Sequence, residues 1–582
     1  MTSIVAEAFA ACGADRVYGK VETSNRPDLS QFQCNGALPA AKQAKQNPRQ
    51  LAQQVVDALA RPEVFREVAL ARPGFINLTL TDAFLAAHLQ QMAHDARLGC
   101  EPAAAPCKIL VDYGGANIAK PLHVGHLRAA IIGESLKRLA RFLGHDVLGD
   151  IHLGDWGLQM GMIIFEMQRR QSDLPYFDAA FTGPYPAEPP MTTAELEEIY
   201  PAVSARAKQD PAVMEACQRA TYDLQQGRPG YRALWRHIYD VSVTDLKGDY
   251  ARLNIAFDLW LGESNTQDRI PGLIQRLQAG GWARTSQGAL IVDIAQPADK
   301  KELPPLMLLK SDGAVLYGTT DLATIDQRVQ DYHPDLILYV VDKRQSDHFV
   351  QVFRGAHKTG VAPAALQLEH IGFGTMNGKD GKPFKTREGG VMRLKDLIRM
   401  ITDKAAERMA AAELARDYAD AEKSEIARII GVATLKFADL LNHPTKDYIF
   451  DLDRFVSFDG CTGPYLLYTA VRIKSILRKA AERGVAPGAI LPPASAVERE
   501  VFLKLAELPT LLSFAFESRA PNYLCDYAYT LAALFTRFYH DHHILREPDA
   551  ARQASWLELA RFLLAVLELV LDLLGIAVPE RM

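Results

Sequence analysis

Two histidines three residues apart, His123 and His126, lie in a stretch whose residue types suit phosphate chemistry. An apolar run ending at Val111 leads into a Gly-Gly pair and a proline, and apolar residues at helical spacing follow from Leu127. This pattern indicates a strand, a glycine-containing loop and a helix. Unpaired N–H groups and the helix dipole make the start of such a helix a phosphate site. Two imidazoles on its first turn would face the same way and could both donate to one polyphosphate.

Gly125 lies between the two histidines and has no Cβ, which would let a flat ring such as adenine lie against the backbone. For so short a motif, a strand-helix turn with two solvated histidines is the alternative interpretation. Asn117, Lys120 and Arg128 favour the nucleotide site, because these polar side chains crowd one loop without a packing reason to be there. We therefore predict nucleotide binding at this turn.

Length and composition place the chain among multidomain globular proteins. Its 582 residues are enough for several domains with ample core, and 48% hydrophobic residues are typical of such proteins. A net charge of -5 does not indicate a nucleic-acid-binding protein, so any RNA contact would come from local basic patches. Seven scattered cysteines without a CxxC pair predict a reduced, cytoplasmic protein without a structural zinc site. We expect no membrane contact, because we find neither a signal-peptide pattern nor a membrane-spanning run.

The string Asn117-Ile-Ala-Lys-Pro-Leu-His-Val-Gly-His-Leu-Arg128, with Gly154-Asp-Trp-Gly157 downstream, resembles a known signature. It is similar to the HIGH motif of class I aminoacyl-tRNA synthetases and, as a whole string, to that of the arginyl-tRNA synthetases. This family often has Ser-Pro before the asparagine, where this chain has Gly115-Ala116. The resemblance covers nearly the whole chain. It implies an α/β fold with a class I synthetase Rossmann-like parallel-sheet catalytic domain, an N-terminal α+β domain and a C-terminal all-α anticodon-binding domain.

The resemblance also implies a domain order. Residues 1–100 would form an N-terminal domain that recognises the tRNA D-loop, and residues 106–395 the catalytic domain. A helical segment of about residues 165–285 would be inserted in the catalytic domain. Residues 396–582 would form the α-helical anticodon-binding domain.

A strand is predicted from Gly74 to Leu80, and it carries Phe75 and Asn77. The resemblance implies that these two residues contact a tRNA base. An exposed phenylalanine beside an amide would suit that role, since the ring can stack on an unstacked base while the amide reads its edge. The alternative is that both are ordinary strand residues.

Five apolar runs predict strands in the second half of the catalytic domain, at residues 289–294, 307–310, 315–319, 336–341 and 368–372. The resemblance assigns an L-arginine site to Tyr317, Asp321 and Gln345, which lie among these runs. It also assigns Asn117 and Glu263, which precede the runs, to this site. A guanidinium prefers planar, bidentate carboxylate partners, which Asp321 and Glu263 can supply. The amides of Asn117 and Gln345 suit the α-amino and carboxylate end of the amino acid. Locally, Asp321 could instead be a helix N-cap.

A loop rich in glycine and lysine, from Gly378 to Gly390, follows the last predicted strand. Its position matches the class I KMSKS loop, whose lysines stabilise the pyrophosphate leaving group. Here Lys382-Pro-Phe-Lys385 stands where the common pattern has Lys-Met-Ser-Lys. The resemblance implies that a lysine just before the HIGH motif, Lys120 in this chain, shares that role. A solvated surface loop is the alternative interpretation of the same residues.

Together with the resemblance, these features predict ATP-dependent attachment of L-arginine to tRNA(Arg) through an arginyl-adenylate, with Mg²⁺ present. The resemblance also implies that activation requires the tRNA. The predicted catalytic residues are His123, His126, Lys120, Lys382 and Lys385. The predicted ATP contacts are His123, Gly125, His126, Lys382 and Lys385. We expect a monomer without a metal site built by the protein.

Two alternatives to this function stay open. Another class I synthetase, such as a cysteinyl enzyme, would need zinc ligands around its pocket. A non-catalytic RNA-binding relative would be expected to have lost the histidines or the pocket acids.

Overall fold

The computed structural model describes residues 1–24, 30–301, 303–311, 313–382 and 392–582. These residues form two compact units. The first comprises Met1–Cys100, Ser475–Pro509 and Leu531–Val566, and the second comprises Glu101–Lys474, Thr510–Thr530 and Leu567–Met582. Among the helices in the described ranges, none is both long enough and apolar enough to cross a membrane.

The N-terminal part of the first unit is an antiparallel sheet with helices. The strands are β1 (Val21–Thr23), β2 (Phe32–Cys34), β3 (Phe65–Ala71) and β4 (Phe75–Leu80), in the order β1-β2-β4-β3. The helices are α1 (Thr2–Ala11), α2 (Ala37–Ala44), α3 (Pro48–Ala58) and α4 (Asp82–His94). Helix α3 begins where its sequence indicates, because Asn47 accepts the N–H of Arg49 and Pro48 occupies the first turn. Strand β4, predicted from sequence, is confirmed and is buried from Ile76 to Leu80.

The second unit contains the remaining strands. These are β5 (Lys108–Asp112), β6 (Asp146–Asp150), β7 (Arg284–Ser286), β8 (Ala289–Val292), β9 (Leu306–Leu309), β10 (Leu336–Asp342), β11 (Gln367–Phe373), β12 (Met376–Asn377) and β13 (Tyr448–Ile449). Four of them form a parallel sheet in the order β11-β10-β5-β6. Because these strands run the same way, the residues at their carboxyl ends meet at one edge, where α/β sheets bind ligands.

The helices of this region precede and follow the parallel strands. They are α5 (Val124–Phe142), α6 (Leu158–Arg170), α7 (Thr193–Gln209), α8 (Pro211–Gln225), α9 (Pro229–Arg252), α10 (Ile270–Ala279), α11 (Tyr317–Tyr332), α12 (Ser346–Lys358), α13 (Leu394–Ala411), α14 (Asp420–Leu440) and α15 (Leu452–Phe455). Helix α7 begins with a capping box formed by Thr192 and Glu195. Beyond α15 the chain is helical, with α16 (Gly463–Glu482), α17 (Ala496–Ala506), α18 (Leu508–Glu517), α19 (Asn522–Asp541) and α20 (Ala550–Leu573).

The strand predictions for the catalytic region are confirmed in part. The runs at 336–341 and 368–372 correspond to β10 and β11 of the parallel sheet. The runs at 289–294 and 307–310 do form strands, but β8 and β9 belong to a separate antiparallel sheet with β7. Apolar runs cannot tell which sheet a strand joins, since pairing is decided by partners distant in sequence.

The strand predicted at 315–319 is wrong. Val315 makes only an isolated bridge to Leu309, and helix α11 begins at Tyr317. The N-cap is Leu316, which is extended, so the interpretation of Asp321 as an N-cap is also wrong. Asp321 lies one turn inside the helix, where its side chain is not needed for capping.

Candidate active site

The turn that carries the two histidines is a capping box at the start of α5. His123 is the N-cap, and its Nδ1 accepts the N–H of Gly125 at 3.0 Å. The N–H of His123 in turn donates to Nδ1 of His126 at 3.2 Å, and the two ring centroids are 3.9 Å apart. Because each Nδ1 accepts a hydrogen bond, the proton of each neutral ring is on Nε2. The turn therefore presents two Nε2–H donors side by side.

Both imidazoles are held neutral by their surroundings. Burial lowers the pKa of His126 to about 3, with His123 and Lys120 adding to the effect. Burial also lowers the pKa of His123, and the charge of Lys120 contributes. The ammonium of Lys120 lies 4.2 Å from the ring centroid of Tyr200. A phosphate at this turn would thus receive neutral N–H donors, with positive charge supplied by Lys120 and the helix dipole.

Gly125 is exposed and is required by the capping geometry itself. A Cβ built on it would lie 2.7 Å from Cε1 of His123. Any side chain at this position would push the imidazole out of place. The glycine is therefore needed to orient His123. This requirement is separate from the prediction that the glycine leaves space for a flat ring.

Arg128 does not belong to the phosphate site. It is only 2% exposed, and its Nε lies 3.1 Å from Oδ2 of Asp439 on α14. Its Nη1 donates to the carbonyl of Lys446 at 2.9 Å, and Tyr448 donates to the same carboxylate at 2.9 Å. The interpretation of Arg128 as a loop residue without a packing reason is therefore wrong. Its position within α5 turns the side chain into the interior against α14.

The backbone on either side of His123 is paired with residues distant in sequence. The N–H of Val124 donates to the carbonyl of Met392 at 3.2 Å, and the N–H of Leu394 donates to the carbonyl of Leu122 at 2.8 Å. Residues 392–394 come directly after the glycine- and lysine-rich segment. The residues that follow that segment therefore lie against the histidine turn.

Of the two lysines predicted to act in that segment, the structure describes only one. Lys382 is exposed, and its N–H donates to Oδ1 of Asp380 at 3.1 Å. Lys385 lies outside the described residues.

A pocket of about 270 Å³ opens near the carboxyl edge of the parallel sheet. Its lining consists of Asp112, His152, Tyr317, Asp321, Tyr339, Val341, Gln345, His348 and Phe349. Three residues predicted for the arginine site, Tyr317, Asp321 and Gln345, therefore lie together. Helix α11 places Tyr317 and Asp321 four residues apart, one above the other on the same helix face. The short turn after β10 supplies Gln345.

Glu263 and Asn117 are not among the residues that line this pocket. Glu263 is close enough to Asp321 that this carboxylate contributes to the raised pKa of Glu263, whose main cause is burial. Asn117 forms an isolated bridge with Gly154, where a Cβ would lie 2.1 Å from the Asn117 amide oxygen. Asn117 therefore packs its amide over the first glycine of the Gly154-Asp-Trp-Gly157 segment.

A buried cation that was not predicted from the sequence contacts Asp112 of the pocket lining. Arg328 is 1% exposed, and its Nη2 donates to Oδ2 of Asp112 at 2.6 Å and to Oδ2 of Asp150 at 2.7 Å. The two aspartates lie opposite each other at the ends of β5 and β6. Because Arg328 already neutralises it, Asp112 is a poor partner for a second guanidinium. The signal in the sequence that could have indicated this cation was an aspartate at the end of each of two parallel strands.

His348 is a second residue that the sequence analysis did not assign. Its Nε2 lies 2.5 Å from Oδ2 of Asp321 inside the pocket. The hydrogen bond to Asp321 raises the pKa of His348 above its usual value. In this structure the carboxylate predicted to bind guanidinium is therefore held by an imidazole.

Phe75 and Asn77, the residues predicted to contact tRNA, lie two apart on β4 of the first unit and so share one face. Phe75 is half-buried, whereas Asn77 is 9% exposed. The amide oxygen of Asn77 accepts a hydrogen bond from Nε2 of Gln33 at 2.9 Å. The expected exposed pair is thus a partly exposed ring beside an amide that is already bonded within the sheet.

The sequence matches three family models in chain order. Residues 1–80 match the arginyl tRNA synthetase N-terminal domain, residues 88–452 the catalytic domain of class I (R) tRNA synthetases, and residues 466–582 the DALR anticodon-binding domain. The catalytic model alone covers more than half of the chain. The chain belongs to the arginyl-tRNA synthetases. The class I fold inferred from the resemblance, with its N-terminal domain and helical C-terminal domain, is confirmed.

Relatives along the full length agree with this family. The arginine–tRNA ligase of Alkaliphilus oremlandii is 54% identical over 583 residues, which cover 100% of this chain and 99% of that protein. The arginine–tRNA ligase of Maricaulis maris is 51% identical, with the same coverage. The arginyl-tRNA synthetase structures from Plasmodium falciparum and Thermus thermophilus share the fold, each with a TM-score of 0.79 and 23% identity. They cover 100% of this chain, which covers 98% and 99% of theirs. Family membership removes the alternative of another class I synthetase.

Proposed function

We propose that the chain joins L-arginine to tRNA(Arg) in two steps that share one site. The arginine carboxylate attacks the α-phosphate of ATP, pyrophosphate leaves, and the arginyl group then passes from the adenylate to the 3′ adenosine of the tRNA. One observation carries this proposal. Strand β5 ends at Asp112, which lines the acidic pocket, and continues through a single loop into the turn of His123 and His126.

At the histidine turn the phosphates of ATP receive hydrogen bonds from the Nε2–H groups of His123 and His126. Chemistry at phosphorus needs positioning and charge neutralisation more than it needs a base. Neutral imidazoles suit this task, because they donate without changing their protonation state. Lys120 supplies positive charge, and we assign a share of the leaving-group stabilisation to Lys120, Lys382 and Lys385.

In the pocket, Asp321 binds the guanidinium through both carboxylate oxygens, and Tyr317 stacks on it or donates to it. Gln345 and Asn117 bind the α-amino and carboxylate end, with Asn117 next to the histidine turn. Glu263, whose pKa is raised mainly by burial and also by the charge of Asp321, is assigned as a second acidic partner. The buried Arg328 is shared by Asp112 and Asp150, so Asp321 is the carboxylate of the pocket lining that does not pair with it.

Mg²⁺ would be held mainly by the nucleotide. Among the described residues, no group of three or more His, Cys, Asp and Glu side chains is placed to hold a metal ion. Mg²⁺ commonly keeps several waters and binds substrate phosphates rather than an all-protein cage. The residues present therefore fit an ion that arrives with ATP and neutralises the phosphates beside Lys120.

We assign tRNA recognition to the two ends of the chain. Residues 1–100, with the ring of Phe75 and the amide of Asn77, would contact the D-loop, and residues 396–582 the anticodon. Residues 106–395, with the helical insertion at about 165–285, would carry the catalysis. The enzyme acts as a monomer in the cytoplasm, a location supported by the absence of disulfides among its cysteines, all of which are free.

Pyrophosphate exchange tests the proposal. Exchange of labelled pyrophosphate into ATP is measured with L-arginine, L-lysine or L-cysteine, each with and without tRNA(Arg). We expect exchange with arginine in the presence of the tRNA, and a large rise in the arginine KM in Asp321→Asn. Asp347→Asn is the matched control, because this exposed carboxylate on α12 pairs with Lys301 outside the pocket. A folded wild-type protein without arginine-dependent exchange would instead be the non-catalytic relative.

A further inference from the structure

The pair formed by Asp321 and His348 is the starting observation. Their side chains are 31% and 30% exposed, and both line the arginine pocket. Helix α11 supplies the carboxylate and helix α12 supplies the imidazole. The 2.5 Å contact therefore joins two elements across the cavity that the substrate side chain must enter.

The pair conflicts with the geometry that arginine needs. A guanidinium forms its strongest contact with a carboxylate as a fork, with two parallel N–H···O bonds to both oxygens. In this structure Nε2 of His348 holds Oδ2 of Asp321, and the cavity measures only about 270 Å³. A guanidinium fork must therefore compete with the imidazole for Oδ2. Two cations cannot share this small site without repulsion.

We propose that His348 occupies the place of the substrate guanidinium on Asp321 in the arginine-free enzyme, and that arginine binding displaces it with release of its proton to solvent. The inference rests on the proposed function, because it takes Asp321 as the guanidinium partner. His348 is a positioning residue: its hydrogen bond holds the Asp321 carboxylate in place while the pocket is empty.

The surroundings of His348 are consistent with replacement of its imidazolium by the substrate guanidinium on Asp321. The titratable side chains that line the pocket with His348 are Asp112, His152, Tyr317, Asp321 and Tyr339. His370 on β11 lies close enough for its pKa to be affected by His348. Many of the charged groups already have partners. Arg344 binds Asp342, Lys343 binds Asp447, and Asp347 binds Lys301. Burial and the nearby His348 lower the pKa of His370, while its Nε2 is bonded to the carbonyl of Val341.

The direction of the pH effect follows from these contacts. The carboxylate raises the pKa of His348 in the empty site. When a guanidinium takes the carboxylate, the hydrogen bond is lost and a positive charge arrives, so the pKa of His348 falls. Between the two pKa values, binding of arginine releases one proton. Over that range the dissociation constant for arginine rises about tenfold for each pH unit of acidification, and it is constant at higher pH.

Two measurements on the whole enzyme test the inference. Calorimetric titration with L-arginine, in two buffers of different ionisation enthalpy at one pH, reports the protons released. The arginine KM in the charging reaction, at saturating ATP and tRNA(Arg), is then followed against pH alongside kcat. We expect arginine binding to release close to one proton. We also expect the arginine KM to rise on acidification more steeply than kcat falls.

Two variants locate the proton. His348→Gln keeps an N–H donor near the carboxylate but cannot titrate, so the tenfold slope should disappear. His370→Gln is the matched control, because it removes a neighbouring imidazole that stacks on Phe349 at 4.7 Å and does not touch Asp321. This control should keep the wild-type slope.

The outcomes separate the two proposals. Normal charging combined with wild-type arginine binding that releases no proton overturns the role of His348 and leaves the proposed function intact. A slope that persists in His348→Gln also overturns it, because the released proton must then come from another group. Absence of charging by folded wild-type protein at alkaline pH, where His348 is neutral, would overturn the proposed function itself.

Discussion

Replacement of His126 by alanine tests the central assignment of the phosphate site. The imidazole is neutral, with a pKa of about 3, and its Nδ1 is occupied by the N–H of His123, so its contribution is one Nε2–H donor to a charged oxygen. Hydrogen bonds to charged groups contribute about 1.5–3 kcal/mol. At about 1.4 kcal/mol for each tenfold change in rate, His126→Ala should slow arginine activation about 10- to 150-fold. The arginine KM should change far less than the rate.

The same geometry predicts what His126→Ala does to the fold. The variant loses one capping contact, which costs about 0.5–2 kcal/mol, so the protein should remain folded. Pyrophosphate exchange with tRNA(Arg) measures the rate, and circular dichroism during heating measures the fold. His357→Ala, at an exposed position near the end of α12, is the control and should behave like wild type. Near-normal exchange by folded His126→Ala would refute the assignment of a phosphate donor.

Three further changes probe the rest of the site. Lys120→Met should slow activation and raise the pKa of His123, which NMR titration can follow, because the charge of Lys120 helps to lower that pKa. Arg128→Met should destabilise the protein by about 3–5 kcal/mol in urea unfolding, since it leaves Asp439 buried without its cation; a loss below 1 kcal/mol would contradict this account. Phe75→Ala should raise the KM for tRNA(Arg) while the KM values for ATP and arginine stay constant; equal changes in all three would argue against base stacking.

The sequence could predict the histidine turn because its parts are local. A glycine loop, a helix start and two histidines three residues apart describe the same few residues, and neighbouring side chains decide their geometry. The family resemblance extended this to Tyr317, Asp321 and Gln345, which the structure brings together in one pocket. The predicted fold and enzyme class are confirmed by the family models and the full-length relatives.

The features that were missed depend on pairs distant in sequence. Arg128 looks like a loop cation until Asp439 lies beside it, and Arg328 looks like a solvated helix residue until the ends of β5 and β6 enclose it. His348 likewise gains a role only through Asp321 on another helix. The strand predicted from the apolar pattern at Val315 was also wrong, because two apolar residues before a helix resemble the start of a strand.

The pairing of Val124 with Met392 and of Leu122 with Leu394 has a consequence for biosynthesis. Because the histidine turn is braced by a stretch encoded far downstream, a nascent chain that has just emerged with α5 does not yet contain the residues that complete its nucleotide site. Contacts of such long sequence separation form late and slow the acquisition of the native state. A growing polypeptide should thus complete this turn only after the start of α13 has left the ribosome.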